Sequence, residues 1–292
     1  MGELGRVRPD TRFLKQPKHS WASVRTITQH IGYTVRGAGE IKVPTVAEIT
    51  NTFEELNLST KHVVDGNGKS TEFGQLLAAY FQHRANVLNK FVEPRLMDAK
   101  RAKAEFGKLR RQLRPQCPLP MNKQKGKKKA PAFLTGIVNM LIEANAAGME
   151  CCYDPRELTT ITRGRVPVRT LARRIDGAFP STINPIAVWE IKEYYYTTTF
   201  GSRVADRIYE TLLDGMELEE LREQEGIEIK HYLMLDAHYT WWDCGRSYLC
   251  RVLDLLHMGY VDEVLFGVEV IERLPSLVKK WVKVAQQHTN RK

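Results

Sequence analysis

The sequence predicts an α/β protein with an N-terminal helical region, and three observations carry that reading. From Pro131 onward, stretches with apolar residues every three or four positions alternate with short β-branched runs. Before residue 94 only the helical spacing is clear, and between the two lies a segment dominated by lysine and arginine. The expected division is a region 1–94 comprising an arm and helices, a region 95–130 comprising a basic helix and lysine-rich linker, and an α/β domain over 131–292. With 292 residues, 42% of them hydrophobic and 27% charged, the chain is long enough for one substantial core and a smaller second one.

Residues 1–43 show no clear periodicity and read as an irregular lead-in. Pro44 opens a helix expected over Thr45 to Asn57, and after the turn Asp65-Gly66-Asn67-Gly68 a longer one runs from Thr71 to about Val92. Its residues Phe73, Leu77, Tyr80, Phe81, Leu88 and Phe91 form one buried stripe. Such a pair suits a helix-turn-helix reader or a helical scaffold. Ala102, Phe106, Leu109 and Leu113 keep an apolar line on a helix expected from Asp98 to Arg114, and the tract from Asn122 to Lys129 is expected to be mobile. Here the domain boundary is expected.

Beyond it, Phe133 to Ala144 reads as a helix ending at Gly148. Strand-prone sequence follows at Glu150 to Tyr153 and Thr159 to Asp176, then a turn over 177–185 and a strand from Ile186 to about Tyr196. Helical spacing covers Ser202 to Leu213 and Met216 to Gln224. His231 to Ala237 is a buried strand, Gly245 to Met258 a helix, Val261 to Phe266 a strand and Pro275 to Gln287 a closing helix.

The chain carries 44 basic and 34 acidic residues, a net charge of +10, and the excess is concentrated. Residues 95–130 hold thirteen Lys and Arg against Asp98 and Glu105, so this segment alone carries +11. A basic patch on a nearly neutral body points to a polyanion, because each phosphate neutralised releases counterions. No apolar run reaches the ~18–20 residues of a bilayer span, and the first residues lack the apolar stretch of a secretory signal. A soluble cytoplasmic protein without membrane partners is expected. Five cysteines without CxxC spacing read as free thiols.

Asp176, Glu190 and Lys192 form the constellation that carries chemistry. In Ile186-Ala187-Val188-Trp189-Glu190-Ile191-Lys192 the strand period of two puts Glu190 and Lys192 on one face, with Trp189 and Ile191 on the other. A hairpin-like connection returns Asp176 to the side of Glu190. Two carboxylates so placed chelate a hard divalent ion, here magnesium, which polarises a phosphodiester and lowers the pKa of an attacking water. Lys192 would orient or deprotonate that water, or offset charge on the phosphorane. Acid-x-Lys triplets are common: this chain has four, where random order gives about two. Glu228-Ile229-Lys230 is a rival, since Asp214 precedes Glu228 by the same fourteen positions that separate Asp176 from Glu190. The acidic, helical stretch between Asp214 and Glu228 would repel phosphate and should leave Asp214 at a helix end. Glu190 and Lys192 sit instead among apolar neighbours, where unpartnered charges are costly. A structural ion pair is the alternative account of them.

Asp176-Gly177, a turn and Trp189-Glu190-Ile191-Lys192 on a core strand, preceded by a helix and followed by helix, strand and helix, resembles the PD-(D/E)XK nuclease superfamily, in particular type II restriction endonucleases. The resemblance covers about residues 131–270, and Ile175 stands where the name-giving motif has proline. It implies a restriction-endonuclease-like core, a central mixed sheet flanked by helices, with Asp176 and Glu190 as metal ligands and Lys192 assisting the nucleophile. In many members the first helix adds an acid, and Glu143 occupies that place. The implied activity is magnesium-dependent cleavage of double-stranded DNA at specific sites by a homodimer, with one active site per strand. The same triplet would serve a junction-resolving, transposon-end or repair nuclease. A non-catalytic DNA-binding protein is the rival from another class. Arg163, Arg165, Arg169 and Arg173, with Lys125, Lys127, Lys128, Lys129 and Arg203, are the candidate DNA contacts.

Overall fold

The structure is a computed structural model that describes residues 7–14, 16–124, 127–197 and 201–289. Helix α1 (Lys18–Ile31) already departs from the sequence reading, which left this region irregular. Its buried face is Ser20, Trp21, Ser23, Val24, Ile27 and Thr28. Half of these are small hydroxyl residues, and the hydroxyls of Ser23 and Thr28 donate to carbonyls four residues back, so the face is buried without reading as apolar. Helix α2 (Val46–Glu55) starts at a capping box of Thr45 and Glu48, and Thr71 caps α3 (Glu72–Val87). A π-helical turn, Leu88–Val92, continues α3. Phe13, Trp21, Ile27, Ile49, Phe53, Val63 and Phe81 form the core of this unit.

Asp98 caps α4 (Ala99–Leu113), the basic helix. Ala102, Phe106 and Leu109 are buried in one cluster with α5 (Phe133–Asn145), so α4 belongs to the C-terminal body and the boundary does not fall in the lysine tract. An apolar line on a charged helix needs a partner surface, and α5 supplies it. Between them, β1 (Met121–Gln124) and β2 (Lys127–Pro131) pair antiparallel, where a mobile tract was expected.

Then follow β3 (Cys152–Tyr153), β4 (Thr160–Arg163), β5 (Val166–Thr170), β6 (Gly177–Phe179), β7 (Ala187–Glu193), α6 (Ser202–Glu225), β8 (Lys230–Asp236), α7 (Arg246–Met258), β9 (Glu263–Phe266) and α8 (Val268–Thr289). The main sheet is mixed, in the order β3-β6-β7-β8-β9: the first three strands are antiparallel, and β7, β8 and β9 are parallel. Trp189, Tyr232 and Met234 face α5 and α8, where Trp189 stacks on Trp281 at 5.7 Å between ring centroids. Val188, Leu233 and Leu235 face α6 and α7. The fold is thus an α/β body with a helical unit against it.

Three boundaries differ from expectation. The run Thr159 to Asp176 is not one strand. It folds as a separate β4–β5 hairpin turning at Gly164-Arg165, both at positive φ, and the following loop leads into β6, which occupies the expected turn. Helix α6 is continuous through Gly215, whose missing side chain admits Tyr260: a Cβ there would lie 2.5 Å from Tyr260 atoms. The closing helix starts seven residues before Pro275, which it carries within.

Arg84, on α3, is fully buried and ion-paired to Asp254 on α7 at 3.0 Å, with the Tyr80 hydroxyl donating to the same carboxylate at 2.5 Å. Asp236, at the end of β8, accepts from the Met97 backbone N–H at 2.7 Å and from the Tyr195 hydroxyl at 2.5 Å. The first fastens the helical unit to α7, and the second ties the segment before α4 to the end of β8. Among the described residues no helix is long and apolar enough to cross a membrane.

Candidate active site

The register of β6 with β7 pairs Gly177 with Trp189, so Asp176 falls opposite Glu190. Gly177 makes this approach possible, since a Cβ there would lie 2.2 Å from the Trp189 ring. Asp176 is partly buried and its Oδ2 accepts from the Ile191 N–H at 2.7 Å. Burial pushes its carboxyl pKa up, and so does neighbouring Glu190, while Lys192 opposes them.

Glu190 and Lys192 are fully buried on the α6 side of β7, and the Lys192 ammonium pairs with Glu190 Oε2. Arg173, from the loop between β5 and β6, donates to Glu190 at 3.0 and 3.2 Å, to Asp214 at 2.5 Å and to Glu210 at 3.1 Å. Burial alone would raise the Glu190 pKa, but Lys192 and Arg173 outweigh it and hold the carboxyl below its usual value. Asp214, fully buried in the middle of α6, is pushed up to about 7 by burial and by Glu190. Among the described residues its Oδ1 has no hydrogen-bond partner. Four carboxyl groups, Asp176, Glu190, Glu210 and Asp214, therefore meet three cations, Arg173, Lys192 and Arg207, the last 3.9 Å from Glu210. The formal excess is one acid, part of which Asp214 takes up as a proton near neutral pH.

Asp176 also faces outward. It lines a cavity of about 410 Å³ with Thr135, Asn139, Tyr153, Asp154 and Ile191. The buried acids are thus connected to solvent at one carboxylate. The adjacent β7 residue, Glu193, accepts from Thr135 N–H at 2.8 Å and tops α5, whose own cap residue, Ala132, has no side-chain acceptor.

The other expected site residues are placed differently. Glu143 is half-buried on α5 and both its oxygens accept from the Gln116 N–H, at 3.1 and 3.0 Å, so it serves the chain after α4 rather than Asp176 and Glu190. Arg163 pairs with Glu225 at 3.1 Å, and Arg169 pairs with Glu220 at 2.5 Å. Acids of α6 occupy these arginines because the β4–β5 hairpin lies beside that helix. Arg165 is exposed in the hairpin turn. Lys125 lies outside the described residues. Lys127, Lys128 and Lys129 lie on β2 and Arg203 in the first turn of α6, with side chains outside the described residues.

Asp214 does not sit at a helix end and does not join Glu228. Lys230 instead holds Glu228 at 2.6 Å and Asp262 at 2.9 Å on the surface. Sequence reasoning thus missed Asp214 and Glu210 as members of the cluster, and took Arg173 for a DNA contact. Their four-residue spacing on one helix face was the available signal.

A magnesium ion suits this site in part. Asp176 and Glu190 supply hard oxygen donors, and the acidic excess suits a divalent charge. In this conformation, however, both oxygens of Glu190 are engaged by Arg173 and Lys192, and among the described residues no three His, Cys, Asp or Glu side chains converge to hold a metal. Magnesium generally keeps waters and needs only one or two carboxylates, so the two acids would serve only if Glu190 were freed from Arg173 and Lys192.

A family model described as a domain of unknown function, DUF7687, matches residues 97–281. The chain belongs to the DUF7687 family. Residues 7–91 match the model of a second domain of unknown function, DUF7690. No curated protein matches the chain, and no solved structure does. The DUF7687 region opens at Met97, directly before α4, and so includes the basic helix that packs on α5.

Proposed function

We propose that this DUF7687 protein is a magnesium-dependent endonuclease acting on double-stranded DNA, with a restriction-endonuclease-like core. The observation that carries the reading is the meeting of Asp176 and Glu190 across β6 and β7, with Lys192 buried on the same face. The order of elements supports it: α5, the antiparallel strands β3, β6 and β7, then α6 and the parallel strand β8 match the order the resemblance implies.

Asp176 and Glu190 would hold the ion. When bound, magnesium polarises the scissile phosphate and lowers the pKa of a water molecule. Lys192, whose ammonium donates to Glu190, offers a fixed positive charge in a water-poor site, where it offsets charge on the phosphate more strongly than in solvent. Arg173 keeps Glu190 and Asp214 compensated while the ion is absent. The exposed basic residues of α4 attract the duplex. A homodimer presents two such sites to the two strands.

The closed Arg173–Glu190–Lys192 network favours a second reading, a DNA-binding protein without catalysis whose acids form a structural ion cluster. Incubating plasmid with magnesium, and separately with chelator, for wild type and Lys192→Ala decides between them. The nuclease reading expects magnesium-dependent cutting that the substitution abolishes, and discrete fragments if cutting is site-specific. Binding without cutting under every ionic condition, or cutting undiminished by Lys192→Ala, overturns it.

A further inference from the structure

A cavity of about 480 Å³ lies where α1 of the N-terminal unit meets α6 and α7. Its lining includes Arg25, Tyr33, Tyr209 and Arg251 over an apolar floor that includes Leu212 and Leu255. The volume lies within the usual range for small-molecule sites, and a seam between two units is a usual place for one.

The two arginines lack anions. Arg251 is held by aromatic rings, its guanidinium carbon 5.2 Å from the centroid of Tyr33 and 4.7 Å from that of Tyr248, and it donates to the Tyr209 hydroxyl. Its Nε is buried and, among the described residues, has no hydrogen-bond partner. Asp254, the acid in the cavity wall, has both oxygens taken by Arg84, and one also by Tyr80. Arg25 is exposed and its guanidinium donates to the Met258 sulfur at 3.7 Å. Among the described residues neither arginine makes an ion pair. An anionic ligand in the cavity would pair with these two guanidinium charges.

Tyr209 supplies the second part of the recognition. It is 51% exposed, so an aromatic face remains open beside the two charges. Paired guanidinium groups suit a phosphate, and tyrosine faces over an apolar floor suit a flat heterocycle. The geometry points to a binding site for a nucleoside monophosphate, with its phosphate between Arg25 and Arg251 and its base against tyrosine. Inorganic phosphate would leave the apolar floor empty, and a nucleoside would leave the arginines unsatisfied. The site stands apart from the nuclease reading, although α6 forms one wall here and carries Glu210 and Asp214 to Arg173.

Calorimetric titration of the full chain with each of the four ribonucleoside monophosphates tests this, with adenosine, inorganic phosphate and a DNA oligonucleotide as comparisons. At least one monophosphate should saturate, and adenosine and phosphate should each bind about tenfold or more weakly. Arg251→Gln and Tyr209→Ala should weaken that affinity about tenfold at unchanged circular dichroism. Should Arg251→Gln fail to fold, Arg25→Gln, at an exposed position, replaces it and should weaken the same affinity. Absence of saturation by all four monophosphates, affinity unchanged in the variants, or binding of the oligonucleotide alone overturns the proposal.

Discussion

Two arginines, Arg84 in the interior and Arg173 half-buried, organise this molecule, and they are solved differently. Arg84 meets a single carboxylate, Asp254, which also receives the Tyr80 hydroxyl, and the group closes with one charge against one. Arg173 meets three carboxylates, sharing Glu190 with Lys192 and Glu210 with Arg207, beside a fourth acid at Asp176. The first arrangement balances its charges and joins the helical unit to the α/β body. The second is under-compensated and opens to solvent at Asp176. Balanced charge at a seam indicates fastening, whereas acidic surplus beside a cavity indicates a place for something more.

Removing each arginine tests that difference. Arg84→Met strands Asp254 in the interior and should cost about 3–5 kcal/mol in urea denaturation. Arg173→Met should cost less, about 1–3 kcal/mol, because the surrounding acids can take up a proton or an ion. Added magnesium should recover stability in Arg173→Met and leave Arg84→Met unmoved. Equal losses with no response to magnesium would make both clusters fastenings and remove the ground for the metal site.

Glu269 sharpens the contrast from a third side. It is 2% exposed and accepts N–H bonds from Val7 and Phe266, and burial raises its pKa to about 7, with Arg95 opposing. A carboxyl whose folded pKa lies above its unfolded value stabilises fully below the unfolded value, and the contribution is lost as pH rises through the folded one. Stability should therefore fall between about pH 4.5 and 7, by on the order of 2–3 kcal/mol from this group. Glu269→Gln keeps an acceptor and should remove that slope, as denaturation at pH 5 and pH 8 would show. The smallest effect is expected at Glu228, in an exposed pair with Lys230: Glu228→Ala should change stability by about 0.5 kcal/mol or less and leave the proposed DNA cleavage intact.

The sequence made the juxtaposition of Asp176 and Glu190 legible because a period of two and a short return fix which residues face one another. Helices α2, α3, α5 and α7 were legible from their apolar stripes. Helix α1 was not, since serine and threonine fill half its buried face. The β4–β5 hairpin was read as part of one strand because alternation continues while the chain changes sheets. Arg173 with Asp214 lay beyond local pattern altogether. Their contact spans forty-one positions and depends on how α6 lies across the sheet, which no spacing encodes.

The seating of α4 on α5 has a mechanical outcome. Lys100, Arg101, Lys103, Lys108, Arg110 and Arg111 stand outward on a rod anchored through Ala102, Phe106 and Leu109. Positive charge on a slack tether would only raise the concentration of a polyanion nearby. Charge on an anchored rod also sets the angle of arrival, so whatever docks along it meets the rest of the body in one orientation.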